Sequence, residues 1–211
     1  MKEEQKHLDT LQDIKQIMDR SSRFISLSGL SGIAAGLCAL GAVSYVWPLW
    51  NISLGSSIEE SNPVLLILDS QQKARLLVTG ITCFISAFIF AVIFTWFRTK
   101  KTYASLWNST VRRLVINTGI PFVAGAILVV YLMNWNLTGL IAPVCLIFYG
   151  LALLSGSKYT VSEIRWLGIS ELLLGLLTLQ FLQYGIIAWG IGFGLLHIIY
   201  GALMWWKYER A

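Results

Sequence analysis

Leu76-Leu-Val-Thr-Gly-Ile-Thr-Cys-Phe-Ile-Ser-Ala-Phe-Ile-Phe-Ala-Val-Ile-Phe-Thr-Trp-Phe97 is a run of 22 residues without a charge. Lys73 and Arg75 precede it, and Arg98, Lys100 and Lys101 follow it. A helix of about 20 apolar residues crosses a hydrocarbon core of about 30 Å, so the run reads as a membrane-spanning helix. Five more stretches read the same way, which gives spans at 24–48, 76–97, 114–135, 137–155, 164–182 and 185–206. Hydrophobic residues make up 56% of the chain and charged residues 13%. Soluble domains carry about a quarter charged residues, so lipid is the expected solvent. The alternation that a membrane β-barrel needs is missing. The expected fold is all-α: a polytopic bundle of six spans arranged as three helical hairpins, with residues 1–22 as a separate cytosolic helix and 23–211 as the bundle.

Charge sets the orientation. Fourteen of the sixteen Lys and Arg fall on one side of the alternating spans, and only Lys73 and Arg75 fall on the other. Positive residues are retained in the cytosol, so both termini are expected there. The net charge of +5 then follows from attraction to anionic lipid and calls for no nucleic acid. All nine Trp lie near span ends, where amphipathic rings prefer to sit. Trp47, Trp50, Trp135 and Trp189 fall on the outer side. Trp96, Trp107, Trp166, Trp205 and Trp206 fall on the inner side. Cys38, Cys83 and Cys145 sit singly in three different spans and imply no disulfide framework.

Leu8, Leu11, Ile14, Ile17 and Met18 recur at helical spacing among mixed charges. The head is therefore expected to pack on the cytosolic end of the bundle or to bind a cytosolic protein. Ser61-Asn-Pro63 reads as a helix start in the outer loop.

The glycines carry a pattern. Gly29-Leu-Ser-Gly32-Ile-Ala-Ala-Gly36-Leu-Cys-Ala-Leu40 in span one matches Gly168-Ile-Ser-Glu171-Leu-Leu-Leu-Gly175-Leu-Leu-Thr-Leu179 in span five. Phe148-Tyr149-Gly150 in span four stands beside Ile199-Tyr200-Gly201 in span six. A parallel repeat is one reading of these matches, and chance similarity of Leu/Gly-rich helices is the other. Gly32 with Gly36, and Gly190 with Gly194, place bare backbone on one helix face, which allows close helix contact in lipid. Tight packing within the bundle is expected of them, a dimer seam being the other use. Pro121 and Pro143 are expected to kink spans three and four, broken helices around a site, as in transporters, being the other reading.

Ionisable groups inside a membrane are expensive and are functional suspects. Glu171 and His197 lie 13 positions on either side of Tyr184, the expected turn of the third hairpin. Equal rise per residue puts them at one depth, where they can touch if both face inward. Tyr200 lies one turn from His197 and could join them. A buried Glu–His pair titrates as a unit, which suits proton relay or pH sensing. A hydrogen-bonded pair that merely fixes register is the competing account. At the inner mouths, Lys100, Lys101, Arg112, Arg113 and Arg165 could hold an anionic headgroup or solute, or simply snorkel to lipid phosphate. No HExxH, Gly-x-Ser-x-Gly or phosphate-loop pattern occurs, and one intramembrane His makes no usual zinc site. No enzyme, cofactor or metal is expected.

The head and first span, Leu11-Gln-Asp-Ile-Lys-Gln-Ile-Met-Asp-Arg-Ser-Ser-Arg-Phe-Ile-Ser-Leu-Ser-Gly-Leu-Ser-Gly-Ile-Ala-Ala-Gly36, resemble a group of uncharacterised six-span membrane proteins of Bacteroidota-type bacteria. The Gly-rich spans are also loosely similar to the HdeD acid-resistance membrane family, from which the long head departs. The resemblance implies a bacterial inner-membrane protein and transfers no catalytic residues. The expected role is interaction, regulation or envelope stress, with membrane lipids, a cytosolic protein and a second copy of the chain as expected partners. The alternative is a small-solute or proton-coupled transporter or channel using Glu171 and His197.

Overall fold

A computed structural model describes residues 28–57, 68–102 and 109–210. The expected N-terminal helix and the expected helix start at 61–63 lie outside the described residues. Those described are helical, with no strand among them. The long helices are α1 (Gly29–Ser57), α2 (Ser70–Thr102), α3 (Ser109–Asn134), α4 (Ile141–Gly156) and α5 (Ser162–Thr178). A last rod follows, made of α6 (Gly185–Trp189), a π-helical segment (Gly190–Leu196) and α7 (His197–Tyr208). Five segments are long and apolar enough to cross a membrane. The 17-residue α5 is the shorter one, about 25 Å at 1.5 Å per residue. Large apolar side chains cover the outside, among them Phe88, Ile120, Val123, Leu177 and Trp206. That is far more exposed apolar surface than soluble monomers tolerate, and it suits a lipid surround.

Two helices run longer than the spans read from sequence. α1 continues through Pro48 to Ser57, and α2 extends from Ser70 to Thr102. Pro121 lies inside α3, but Pro143 is the third residue of α4 and fully buried. In a first turn the missing N–H has no intrahelical partner to lose, so Pro143 starts a helix rather than kinking one. α3 ends on Asn136, which has φ +61°. Leu137 N–H donates to Leu132 O and Asn136 N–H to Met133 O, the double closure of a helix that ends in a left-handed residue. Lys73 Nζ donates to Asn136 Oδ1 at 2.5 Å, which ties this turn to the start of α2.

Packing cuts across the hairpins. α1 packs on α2 and α3 on α4, as chain neighbours, but α5 packs mainly on α4 and the last rod mainly on α1. The third hairpin is therefore joined by its turn more than by its interface. Glycine explains both heavy seams. A Cβ on Gly201 would stand 2.7 Å from Gly29 O and from Ile33 N. One on Gly150 would stand 2.8 Å from Gly168 O and 2.7 Å from Leu172 N. Ile198 fills the space over Gly36 as Ile147 does over Gly175. The two motif matches seen in the sequence thus pair with each other, span one with span six and span five with span four, in one register. Gly194 and Gly190 also face α1, against Leu40 and Val43, so these glycines pack inside the bundle.

The basic end of the bundle is clamped by the C-terminal residues. Glu209 accepts hydrogen bonds from Gly29 N–H and from Ser28 Oγ at 3.1 Å, which caps α1. Arg98 Nη1 reaches the same carboxylate at 3.1 Å, and its Nη2 donates to Tyr208 O at 3.2 Å. Glu163 at the start of α5 accepts from Lys207 at 2.6 Å and from Tyr208 Oη.

Candidate functional site: a buried Glu–His–Tyr chain

Glu171 is fully buried on the α5 face that turns towards the last rod. It can lie there because the facing residue is Gly192, where a Cβ would fall 2.5 Å from Glu171 Oε2. Gly192 belongs to the π segment, a wider turn common at functional sites. His197 follows that segment directly. Its Nδ1 donates to Gly192 O at 3.0 Å and lies 3.4 Å from Glu171 Oε1. Its Nε2 lies 2.8 Å from Tyr149 Oη on α4. Three consecutive elements, α4, α5 and the last rod, therefore converge on one imidazole.

The network assigns the protons. Gly192 O can only accept, so Nδ1 carries hydrogen. In the neutral ring Nε2 must then accept, and Tyr149 O–H donates to it. A second proton on Nε2 would reverse that bond and make Tyr149 the acceptor, with its own hydrogen free to turn elsewhere. Neither Glu171 oxygen has a hydrogen-bond partner. An unpartnered buried acid is costly, and the imidazole edge lies 3.4 Å from Glu171 Oε1. Rings extend the chain: Trp189 packs on Phe193 at 4.8 Å, Phe193 on Tyr149 at 4.9 Å, and Tyr149 on His197 at 5.4 Å.

A cavity of about 670 Å³ opens beside this chain, bounded by α1, α2, α3, α4 and the last rod. Tyr149 and His197 form its polar corner, while Ala, Val, Ile, Phe and Leu dominate the rest. Among the described residues no Lys, Arg, Asp or Glu lines it. α2 and α3 are not packed closely along this side; they meet at the stacked rings of Phe84 and Phe122, 4.9 Å apart.

Sequence reasoning picked Glu171 and His197, which the structure brings together. It picked Tyr200 as their companion, but the hydroxyl on Nε2 is that of Tyr149, and Tyr200 is half-buried on the last rod. Trp189, read as an interfacial anchor, instead lines the cavity. Trp96, Trp135, Trp166, Trp205 and Trp206 are exposed near helix ends. The basic residues do not form one pocket. Arg112, Arg113 and Arg165 are exposed, Lys100 stacks over Trp96 at 4.0 Å, and the side chain of Lys101 lies outside the described residues. Tyr149, Gly192 and the Arg98–Glu209 clamp were missed. Tyr149-Gly150 was visible as a repeat element, and Gly190-x-Gly192-x-Gly194 as a glycine cluster. Among the described residues no three His, Cys, Asp or Glu gather as metal ligands. Compared with family models, curated proteins and solved structures, the chain finds no match.

Proposed function

We propose that this is a six-span bacterial inner-membrane protein, both termini cytosolic, that works without catalysis as a proton-responsive regulatory or interaction protein of the envelope. The observation that carries this reading is the Glu171–His197 contact at 3.4 Å, joined to Tyr149 at the wall of an apolar cavity. A proton arriving at the pair changes the Tyr149 bond and the packing of Phe193 and Trp189, which couples charge to the seam between α4 and the last rod. The charged residues of α5 and the last rod, Glu163, Arg165, Lys207 and Glu209, are six or more positions away along their helices, at the basic end. Tyr149 and Cys145 are the titratable groups that α4 presents on this side. The apolar lining disfavours passage of an ion or polar solute, which is why regulation is preferred to transport. Residues 1–22, with apolar positions at helical spacing in the sequence, are the natural output element towards a cytosolic partner.

The test uses purified protein in nanodiscs and in proteoliposomes. Hydrogen exchange in residues 185–200 should change between pH 5 and pH 8, and Glu171→Gln should abolish the change while keeping the fold. Identical exchange of both proteins across that range would sink the proposal. Proton uptake into proteoliposomes that depends on Glu171 would replace it with the transporter reading.

A further inference from the structure

We infer that the central cavity is a binding site for a neutral, membrane-dissolved molecule with one long apolar body and a single hydroxyl-bearing end. The inference needs membrane residence but not the regulatory reading. Four observations carry it. The cavity's roughly 670 Å³ lies within the span of about 300–1,000 Å³ typical of ligand sites, which are mostly apolar with a few placed polar groups. Its walls offer no charged residue among those described, so a phosphate or ammonium headgroup would find no counter-ion there. Access runs sideways: α2 and α3 flank the cavity without close packing and meet at Phe84 and Phe122, so an occupant comes from the bilayer rather than from water.

The fourth observation sets the polar end. Gly192 O fixes hydrogen on His197 Nδ1, so Nε2 takes the Tyr149 hydrogen. Tyr149 Oη is then left with acceptor capacity only. The group that satisfies it is an O–H donor, as in a long-chain alcohol, an isoprenoid alcohol or a protonated fatty acid. An ester or ketone would find no donor at this pair, because the Tyr149 hydrogen is committed to His197 Nε2.

The experiment is photolabelling in nanodiscs with hexadecanol carrying a mid-chain diazirine. Labels should map to cavity-lining positions such as Phe122, Ala126 and Cys145. Excess hexadecanol should compete, and hexadecane should not. Tyr149→Phe should weaken apparent affinity about fivefold, the usual value of one hydrogen bond. Ala126→Trp adds an indole at an exposed cavity wall and should remove most labelling without crowding the core. Hexadecanoic acid competing at pH 5 but not at pH 8 would identify the acid as the source, and failure at both would identify an alcohol. Labelling confined to outward-facing Val123 and Ile127, labelling unchanged in Ala126→Trp, or equal competition by hexadecane would each overturn the proposal.

Discussion

At the α1–α7 seam Gly201 faces Gly29 and Ile33, and at the α4–α5 seam Gly150 faces Gly168 and Leu172. The same backbone approach is built twice, with Gly29, Gly36, Ile198 and Gly201 at one seam matching Gly168, Gly175, Ile147 and Gly150 at the other. One of the positions that differ carries an ionisable group. Span one has Gly32 where span five has Glu171, and Gly32 lies against the backbone of His197 and Gly201. Their tyrosines diverge too. Tyr149 holds His197, whereas its counterpart Tyr200 does not. One seam is a plain contact of small residues. The other is the same contact with an ionisable group beside it, Glu171, which faces Gly192 in the π segment of the last rod. Packing sets the frame here, and the chemistry enters as a local departure from it.

The shared frame is broken most strongly at its glycines. Gly201→Ala and Gly150→Ala each push a Cβ to 2.7 Å from a backbone nitrogen, which cannot rotate away. Each should cost about 1–3 kcal/mol and lower the melting temperature in detergent by several degrees. Gly41→Ala and Gly119→Ala meet nothing within 4 Å. They should be neutral or stabilising by about 0.5–1 kcal/mol through helix propensity. Equal losses in all four variants would remove the seams as the reason for these glycines.

Gly192→Ala tests the inserted group. Its Cβ would strike Glu171 Oε2 and Leu146 Cδ2, both at 2.5 Å. Side-chain ends can yield, so a loss of about 1–2 kcal/mol is expected. In a Glu171→Ala background the loss should shrink, with a coupling of at least about 0.5 kcal/mol in a double-mutant cycle. Additive losses would mean that Gly192 serves Leu146 alone.

Glu171→Met should separate stability from function. Both carboxyl oxygens lack partners, and replacing such groups by well-packed apolar ones is often neutral or stabilising. A melting temperature at or above that of the parent is expected, together with loss of the pH-dependent exchange change. A fall of about 3 kcal/mol or more, the size seen when a buried pair is broken, would recast Glu171 as a register-fixing residue.

The long apolar helices were legible because lipid imposes one strong rule, the need for such helices. The Glu171–His197 depth was legible because rise per residue is constant, so position along a helix gives height. Which helix stands beside which is another matter. Tyr200 and Tyr149 carry the same local motif, and only the three-dimensional arrangement of α4 beside the last rod chooses between them. The π turn was unreadable for a related reason. Gly190-Ile-Gly-Phe-Gly194 is compatible with an ordinary helix as a sequence, and no local pattern marks it as π-helical. Glu209 capping α1 across 180 positions has no local signature at all.

The mildest prediction concerns the basic end, where α5 is tied to α7 by charge rather than by glycine. Burial pushes the Glu163 carboxyl up, but hydrogen bonds from Lys207, its own backbone and Tyr208, with the Lys207 charge, together bring it below its ordinary value of 4.5. A carboxylate lowered in this way adds stability above its unfolded-state value, and that stability is lost as pH falls through its lower folded value. Glu163→Gln should therefore lower the melting temperature slightly at pH 7, by no more than a degree or two for so exposed a partner. The difference should fade as pH falls through that lowered folded value and shrink in high salt. A difference that grows towards acid would mean that Glu163 is opposed in the folded state rather than favoured there. The link between α5 and α7 would then rest on Tyr208 packing against Ile164 and Met204 instead of on charge.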